Sequence, residues 1–388
     1  MTRIGIIGGQ LQGLEAVYLA LQAKFEVALI DKDPLVPARS LVDEFYQLNL
    51  LDGGRLNEAL LSEFDLILPA TENYATLEWL NRMGRKHNVP VALDLPAYTI
   101  SSTKIKSNEL FAQNGIARPE PWPDCGFPVI VKPSGLSGSA GVMKVTDQAQ
   151  LEDALRGQGI DLVIEAYLAG PSYSLEVIAD SGKCAGLQVT ELNFDAGFDC
   201  KRVLAGPLTG AGVASAFIDL GERIAAVINL SGIMDIEVID TGKELKVLEI
   251  DARLPSQTPS AVYHSTKTNM VELLADYWIN GKLPPRPSQH DPGGRAVIYE
   301  HLRLKNGILE VSGEHILVGA QSLKVYRDKF STDVFISNFE ECPDDWVATA
   351  IYTENTEAQV WGTRNRAVKI MQQAFKAKSY YDPDPLSV

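Results

Sequence analysis

Acidic side chains at alternate positions of one segment, followed by an arginine, carry the clearest chemistry in this sequence. In the segment 247–253, Glu249, Asp251 and Arg253 are spaced two residues apart, so in a β-strand all three lie on one face. A second strand pattern at 234–239 would form a hairpin that brings Glu237 beside Glu249. Clustered carboxylate oxygens suit Mg²⁺, which is often bound together with nucleotide phosphates. A solvated sheet face with cross-strand charge pairs would look the same, so the hairpin alone leaves both interpretations open.

A loop of small residues follows a strand pattern that contains a lysine. The strand pattern covers 128–133 and includes Lys132, and the loop is 134–141. Backbone N–H groups of glycine and serine residues can close over phosphates. We therefore interpret the loop as a phosphate-binding lid, although a flexible hairpin connection is the simpler alternative.

The first turn of the chain has an incomplete dinucleotide pattern. Residues 8–13 read GGQLQG, with Gln10 in the place of the middle glycine, and that glycine is what lets the backbone approach a pyrophosphate. An NAD-dependent oxidoreductase is therefore disfavoured. The crevice at the carboxyl ends of the strands, where Asp31 could bind a ribose or an amine, remains a natural ligand site.

Composition and charge exclude several classes of protein. A net charge of −15 and a pI near 4.9 argue against nucleic-acid binding, which requires basic patches. The four cysteines include no C-x-x-C pair, which fits a reducing compartment and offers neither a zinc site nor a disulfide framework. Polar residues from Gln10 onward interrupt any signal-like apolar run, and no run approaches a membrane span. We expect a cytoplasmic protein that binds neither nucleic acid nor membranes.

Short buried strand patterns alternate with helical patterns at the start of the chain, which predicts a doubly wound parallel α/β domain. The predicted strands are 4–7, 26–31, 46–48, 66–69 and 91–93, with helices that include 14–22 and 74–87. Later patterns predict helices at 104–114, 214–230 and near 363–378, and two strands within 161–178.

The order of Lys104, Lys132, the loop 134–141, the segment 165–168 (EAYL) and the motif 249–253 (EIDAR) resembles the ATP-grasp superfamily. The segments 8–13, 43–46 and 249–259 are most similar to the ligase family of pyrrolysine biosynthesis, whose members join a methylated D-ornithine to the ε-amine of L-lysine with ATP. The resemblance implies an α/β fold with a Rossmann-like domain at 1–97, an ATP-grasp domain of two α+β subdomains at 98–290, and a small β-rich C-terminal part at 291–388. It places the lid at about 105–165 and the metal hairpin at 232–254.

The resemblance implies ATP and Mg²⁺ as cofactors and assigns roles residue by residue. The nucleotide-binding residues would be Lys104, Lys132, Ser139, Glu165, Ala166, Tyr167 and Leu168, with Gln10, Asp31, Asn49 and Leu50 at a nucleotide or substrate surface nearby. The metal ligands would be Glu237, Glu249 and Asp251, where Asp251 replaces the asparagine of most relatives. Arg253 and Lys132 would be catalytic, because they stabilise charge on the transferred phosphoryl group.

The resemblance also implies two small amino-acid substrates, a D-ornithine type and L-lysine. The ornithine site would be formed by Ser174, Leu175, Glu176, Arg253, Ser256, Gln257, Thr258, Pro259, Ser260 and Glu300. The lysine site would be formed by Leu11, Gln12 and Glu72 at the crevice of the first domain. The resemblance leaves room for a homodimer.

Three alternatives remain open on the sequence. Another ATP-grasp ligase, similar to the purine-pathway carboxylases or the D-alanine–D-alanine ligases, would use the same phosphate and metal residues. An NAD-dependent oxidoreductase would have to bind NADH tightly despite Gln10. A non-catalytic ATP-binding regulator would keep its function after Glu249→Gln.

Overall fold

A computed structural model of the protein describes residues 1–156, 159–206, 211–285 and 294–385. Its strands are β1 Arg3–Ile7, β2 Glu26–Asp31, β3 Glu44–Gln47, β4 Leu66–Pro69, β5 Val129–Pro133, β6 Met143–Val145, β7 Leu162–Ala166, β8 Ser172–Asp180, β9 Lys183–Gly186, β10 Thr190–Phe194, β11 Cys200–Ala205, β12 Gly232–Asp240, β13 Leu245–Asp251, β14 Ala296–Lys305, β15 Ile308–Val311, β16 Lys324–Arg327, β17 Val334–Ser337, β18 Asp345–Glu354 and β19 Ser379–Tyr381. Its helices are α1 Leu11–Gln22, α2 Arg55–Leu61, α3 Tyr74–His87, α4 Leu95–Ser101, α5 Lys104–Gln113, α6 Gln148–Leu155, α7 Ala211–Val227, α8 Thr258–Thr266, α9 Met270–Asn280 and α10 Glu357–Ala374.

The first sheet is parallel, with the strand order β3-β2-β1-β4. Its turn from β1 into α1 requires glycine at Gly13, since a Cβ there would lie 2.1 Å from the carbonyl oxygen of Gly8. The predicted strand at 91–93 is reduced to a single bridge between Val91 and Ile67. The predicted doubly wound parallel domain is confirmed.

A helix covers the domain boundary that the sequence predicts between residues 97 and 98. Helix α4 spans the predicted domain boundary, because Asp94 accepts a hydrogen bond from the Ala97 N–H at 3.1 Å and caps it. Pro96 lies in the first turn, where its missing N–H costs no helical hydrogen bond. The other predicted boundary, between residues 290 and 291, lies outside the described residues.

A small antiparallel sheet, with the order β6-β5-β7, carries the loop 134–141 between β5 and β6. Its core is separate from the rest of the molecule and consists of Val129, Val131, Val145 and Leu151. A layer with so few core contacts can move as a unit, as a lid must.

The main sheet is antiparallel along the path β13-β12-β8-β10-β11-β14-β18-β17-β16. Helix α7 packs on β8, and α10 packs on β14 and β18. The C-terminal strands thus extend the sheet that begins with the predicted metal hairpin, and the predicted fold class is confirmed. None of the described helices is long and apolar enough to span a membrane.

Candidate active site

The hairpin of β12 and β13 has the register that the sequence predicts. Glu237 lies opposite Glu249, and Asp235 lies opposite Asp251. Side chains that are directly opposite on one face of an antiparallel pair lie about 5 Å apart at Cβ. The prediction that the hairpin brings Glu237 beside Glu249 is confirmed.

Strand β8 adds a third row to this face. Glu176 lies opposite Asp235, and Ser174 lies opposite Glu237. We call the resulting set the acidic array, which consists of Glu176, Asp235, Glu237, Glu249 and Asp251. Asp235 was missed by the sequence interpretation, although its position two residues before Glu237 was the signal that could have found it.

The array brings several carboxyl groups close together in a place from which solvent is excluded. Loss of solvent, with repulsion from Asp235 and Glu249, raises the pKa of Glu237 to about 8. Loss of solvent also raises the pKa of Asp251 to about 7, although Arg253 opposes the rise. Oδ1 of Asp251 is buried without a hydrogen-bond partner. Carboxylate oxygens that lie this close together are the ligands that a divalent cation of the Mg²⁺ type prefers.

Two buried lysines reach the array from different elements. Lys104, in the first turn of α5, donates from Nζ to Oε1 of Glu249 at 2.9 Å and to the Leu136 carbonyl at 2.7 Å. Lys132, on β5, donates to the Leu248 carbonyl at 3.2 Å. The β12–β13 register shifts at Leu248, and such a bulge removes a carbonyl from regular pairing. Both lysines therefore lie beside the predicted metal ligands.

The segment 165–168 makes more contacts within the protein than the sequence predicts. Oε1 of Glu165 lies 2.5 Å from Lys132 Nζ, and both side chains are buried. The Ala166 N–H donates to the Glu120 carbonyl at 2.8 Å, and the Tyr167 N–H donates to the Pro128 carbonyl at 3.0 Å. Three of the residues predicted to bind the nucleotide, Glu165, Ala166 and Tyr167, thus already have contacts within the protein.

The lid loop, residues 134–141, is docked against two other parts of the molecule. Ser139 Oγ donates to the Phe198 carbonyl at 2.6 Å. Ser137 Oγ donates to Oε2 of Glu72 at 2.7 Å. The structure therefore brings the predicted phosphate loop over the acidic array and against the first domain.

Arg253 joins the array to the first domain. Its guanidinium donates to Oε1 of Glu72 at 2.5 Å and lies 2.8 Å from Oδ2 of Asp251. Burial alone would lower the pKa of Arg253, but Asp251 and Glu72 raise it. The side chain is therefore a permanent cation beside the predicted metal ligands.

A polar segment after Arg253 forms the far wall of the site. Ser256 Oγ donates to Oε2 of Glu314 at 2.7 Å, and Thr258 Oγ1 donates to Oε1 of Glu176. A cavity of about 130 Å³ lies between this wall and the array. Its lining includes Ser137, Ser139, Asp235, Glu237, Glu249, Asp251, Arg253, Ser256, Gln257, Thr258 and Glu314.

Six residues predicted for the ornithine site do not line that cavity: Ser174, Leu175, Glu176, Pro259, Ser260 and Glu300. Ser174 and Glu176 lie on the strand face that carries the array, but both are fully buried. Leu175 points to the opposite side of β8, because neighbouring residues of a strand alternate, and it packs in the core beneath α7. Pro259 is buried in the first turn of α8. The Ser260 N–H donates to Oε1 of Glu15 at 2.6 Å, so Ser260 faces α1.

Glu300 is the sixth of these residues, and the structure places it away from the cavity. The side chain is fully buried on the face of β14 that packs against α10. It accepts hydrogen bonds from Nε of Arg202 and Nε of Arg364, each at 2.9 Å. A substrate amine would have to displace two arginines. Glu314, which the sequence interpretation missed, borders the cavity instead; it follows β15 in a short turn without a motif, so no sequence signal marked it.

The residues predicted at the first-domain crevice do lie together. A cavity of about 720 Å³, which we call the first-domain cavity, is lined by Gln10, Leu11, Gln12, Asp31, Asn49, Leu50 and Glu72, and also by Arg253, Ser256 and Glu314. Gln12 Nε2 donates to the Leu254 carbonyl at 2.6 Å, which connects the crevice to the polar segment after Arg253. Oδ2 of Asp31 accepts the Gly9 N–H at 2.7 Å, and Oδ1 of Asn49 accepts the Leu51 N–H at 3.2 Å. Part of the hydrogen-bonding capacity of Asp31 and Asn49 is thus spent on local turns.

Comparisons with known proteins agree with this geometry. A family model described as an ATP-grasp domain matches residues 101–257. The chain is 36% identical over 378 residues to the 3-methyl-D-ornithine–L-lysine ligase of Methanosarcina mazei, covering 97% of each chain. It is 34% identical over 380 residues to the ligase of the same name from Methanosarcina barkeri, covering 97% of this chain and 99% of that protein.

Among solved structures, the biotin carboxylase domain of the Hydrogenobacter thermophilus 2-oxoglutarate carboxylase, in complex with MgADP, ADP and bicarbonate, matches with a TM-score of 0.73. The match covers 97% of this chain and 94% of that one at 14% sequence identity. At that identity the likeness concerns the fold alone.

Proposed function

The chain belongs to the 3-methyl-D-ornithine–L-lysine ligase family of ATP-grasp enzymes, and we propose that it joins (3R)-3-methyl-D-ornithine to the ε-amine of L-lysine in pyrrolysine biosynthesis. It is an ATP-dependent carbon–nitrogen ligase. The observation that carries the substrate assignment is the acidic array. Asp235, Glu237, Glu249 and Asp251 of the array line the cavity of about 130 Å³ together with the lid loop, and this cavity shares Arg253, Ser256 and Glu314 with the first-domain cavity. Two substrates with several amines suit a site with this many carboxylates.

We assign the nucleotide to the space beneath the lid loop. Lys104 and Lys132 would bind phosphate oxygens as compact cations, and the lid loop would supply backbone N–H groups. Because the N–H groups of Ala166 and Tyr167 are already bonded, we assign the adenine contact to the backbone of Leu168. Glu165 would orient Lys132 rather than bind the ribose.

Glu237, Glu249 and Asp251 are the residues we assign to Mg²⁺. When bound, the ion would neutralise charge between the phosphate oxygens and the acceptor carboxylate. The aspartate at 251 also contacts Arg253, so it would hold both the cation site and the arginine in one geometry.

The ornithine amines are assigned to the carboxylates beyond the metal ligands. Glu176 and Asp235 lie opposite each other, and burial raises the pKa of Glu176 to about 8, so a cationic amine would restore its ionised form. The second amine, which the sequence assigned to Glu300, is here assigned to Glu314. Ser256 and Thr258 orient these two acids through their hydroxyl groups.

The reaction follows from this placement. A carboxylate oxygen of ornithine attacks the γ-phosphorus of ATP, the bond to the bridging oxygen breaks, and ADP leaves. The neutral ε-amine of lysine then attacks the acyl phosphate carbon, phosphate leaves, and the amine loses a proton. Arg253 would stabilise the charge that develops on the phosphoryl group and on the tetrahedral intermediate. No protein nucleophile is needed.

The lysine is assigned to the first-domain cavity. Leu11 and Gln12 line its floor, and Glu72 borders it next to Arg253. A lysine bound there would direct its ε-amine toward the polar segment after Arg253. Closure of the lid loop would keep water from the acyl phosphate.

Product analysis tests this proposal. The protein is incubated with ATP, Mg²⁺, 3-methyl-D-ornithine and L-lysine labelled with ¹⁵N at the ε-position, and products are analysed by mass spectrometry. We expect ADP, phosphate and an amide that contains the label in its amide bond. Turnover with bicarbonate and aminoimidazole ribonucleotide, or with D-alanine alone, and no product from lysine would overturn the substrate assignment.

A further inference from the structure

A tight turn at residues 195–199 supports the lid loop from below. The Phe198 carbonyl accepts the hydrogen bond from Ser139 Oγ at 2.6 Å. Phe198 has a positive φ of 64°, a left-handed conformation that is uncommon for a residue with a side chain. Something other than local preference must therefore hold the turn in the shape that presents this carbonyl.

The carboxylate of Asp195 stabilises this turn through hydrogen bonds. Its Oδ1 accepts the Gly197 N–H at 2.8 Å and the Asp199 N–H at 3.1 Å. Its Oδ2 accepts the Gly313 N–H at 2.9 Å. The side chain is only 6% exposed, so one carboxylate fixes the turn internally and ties it to the segment after β15.

Asp199 makes the second tie to the same segment. Its Oδ2 accepts the His315 N–H at 3.1 Å and lies 2.5 Å from His315 Nδ1. A Cβ on Gly313 would approach the Asp199 carboxylate to 2.2 Å, so only glycine permits this contact. Between them, the two acids direct three carboxylate oxygens at backbone N–H groups, which is the pattern of a structural support.

The support lies between the two halves of the site. Asp199 lines both the cavity at the acidic array and the first-domain cavity. The segment that it holds includes Glu314, next to His315. The same turn therefore sets the position of the lid loop and of an acid that we assign to the ornithine amine.

We infer that Asp195 is a positioning residue for the ligase reaction: it fixes the Phe198 carbonyl as the dock for Ser139 and so holds the lid loop closed over the acyl phosphate. The inference rests on the proposed function. Weakening the dock should open the lid loop more often. An open lid loop lowers the apparent affinity for ATP and admits water to the intermediate.

Asp195→Asn tests this, because the amide keeps the shape but replaces one accepting oxygen with an N–H donor. The matched control is Asp344→Asn, which removes the same charge from an exposed loop. Steady-state kinetics would follow ADP and amide separately for both variants and the unchanged protein. For Asp195→Asn we expect KM for ATP to rise about tenfold, the effect of losing one hydrogen bond to a charged acceptor, and ADP release to exceed amide formation several-fold. The control should release about one ADP per amide, as the reaction requires.

A second variant covers the case in which Asp195→Asn does not fold. Ser139→Ala removes the donor at the other end of the dock, and elastase cleavage at residues 135–141 in the presence of MgADP reports lid opening. We expect faster cleavage there than in the unchanged protein. Normal coupling of ADP to amide in Asp195→Asn, or unchanged cleavage in Ser139→Ala, would overturn the dock. If the unchanged protein forms no amide at all, it is the proposed function that fails.

Discussion

Three cations face the acidic array, and each is placed by a different element. Lys104 begins α5, Lys132 lies on β5, and Arg253 follows β13. Lys132 is already paired with Glu165. Loss of solvent and repulsion from Asp235 and Glu249 raise the pKa of Glu237 to about 8, although Lys104 and Lys132 oppose the rise. A divalent cation bound beside Glu237 would offset this rise, because a nearby positive charge favours the ionised carboxylate.

Glu249 is the residue whose neutralisation should cost the most turnover. It is the assigned metal ligand that also contacts Lys104. We expect Glu249→Gln to lower kcat at least about 100-fold, the scale seen when one charge-stabilising group is removed. The control is Glu244→Gln in the exposed turn of the same hairpin, which should keep kcat. Full activity of Glu249→Gln would favour the non-catalytic ATP-binding alternative.

Arg253 should not be replaceable by lysine. Its Nη2 contacts both Glu72 and Asp251, while its Nη1 donates to the Leu254 carbonyl at 3.4 Å. The single nitrogen of a lysine ammonium cannot make all of these contacts in the geometry of the planar guanidinium. We expect Arg253→Lys to lower kcat about 100-fold while KM for ATP changes less than kcat. The measurement is steady-state release of ADP with both amino acids present, and a kcat within about threefold of the unchanged protein would contradict the role.

At the scale of elements, helix α1 fastens the first domain to the rest of the molecule. Gln12 contacts the Leu254 carbonyl, and Tyr18 Oη lies 2.8 Å from His264 Nε2. Glu15 accepts the Ser260 N–H at 2.6 Å and is buried. One face of α1 thus helps to orient the first-domain cavity toward the segment after Arg253. Among the described residues, no cation is in contact with Glu15 on this face.

Glu15 should make stability depend on pH. Burial raises the pKa of Glu15 in the folded protein to about 7 from its ordinary 4.5. Between these values the folded state binds more protons than the unfolded state, so stability falls as the pH rises through this window. We expect Glu15→Gln to gain up to about 3 kcal/mol relative to the unchanged protein between pH 4.5 and 7.

Urea unfolding across that pH range measures the difference, with Glu78→Gln on the exposed face of α3 as the control. The control should leave the pH profile unchanged. A stability difference between Glu15→Gln and the unchanged protein that stays constant with pH would show that Glu15 does not change its protonation on folding.

The C-terminal strand β19 is held by charge as well as by pairing. It runs parallel to β15, and Asp382, just after it, lies 2.8 Å from Lys201 Nζ and 2.7 Å from a terminal nitrogen of Arg202. Burial alone would raise the pKa of Asp382, but Arg202 and Lys201 lower it to about 2. These ion pairs thus connect the segment after β19 to β11, in the middle of the main sheet.

Breaking that contact should destabilise the protein. Lys201 is 1% exposed, and a buried cation without its partner costs about 3–5 kcal/mol. We expect Asp382→Asn to lose about 3 kcal/mol of unfolding free energy. Asp384→Asn, which removes a second and largely exposed partner of the same lysine, should lose less than about 1 kcal/mol. Equal effects of the two substitutions in urea unfolding would contradict a burial-dependent role.

For the whole molecule, the sequence was sufficient wherever chemistry is local. Helix α3 has the predicted bounds, and the β12–β13 hairpin has the predicted register. The failures come from long-range pairing. Glu314 borders the cavity only because the fold brings the turn after β15 to it, and Glu300 faces α10 because of the phase of β14 in the sheet. No local pattern contains either fact.

The segment at residues 95–101 shows the same limit. The predicted domain boundary falls within helix α4. Asp94, which caps this helix, also accepts the Ser231 N–H at 2.7 Å. That contact with a distant part of the chain fixes the cap of α4. Tertiary contacts therefore override local propensity at the place where the first domain meets the rest.

The central claim is that this fold activates a carboxylate as an acyl phosphate over the acidic array. Oxygen transfer tests it most directly: 3-methyl-D-ornithine carrying ¹⁸O in both carboxylate oxygens is turned over with ATP, Mg²⁺ and L-lysine. We expect one ¹⁸O in the released phosphate and one in the amide carbonyl. Unlabelled phosphate, or AMP and pyrophosphate in place of ADP, would contradict the claim.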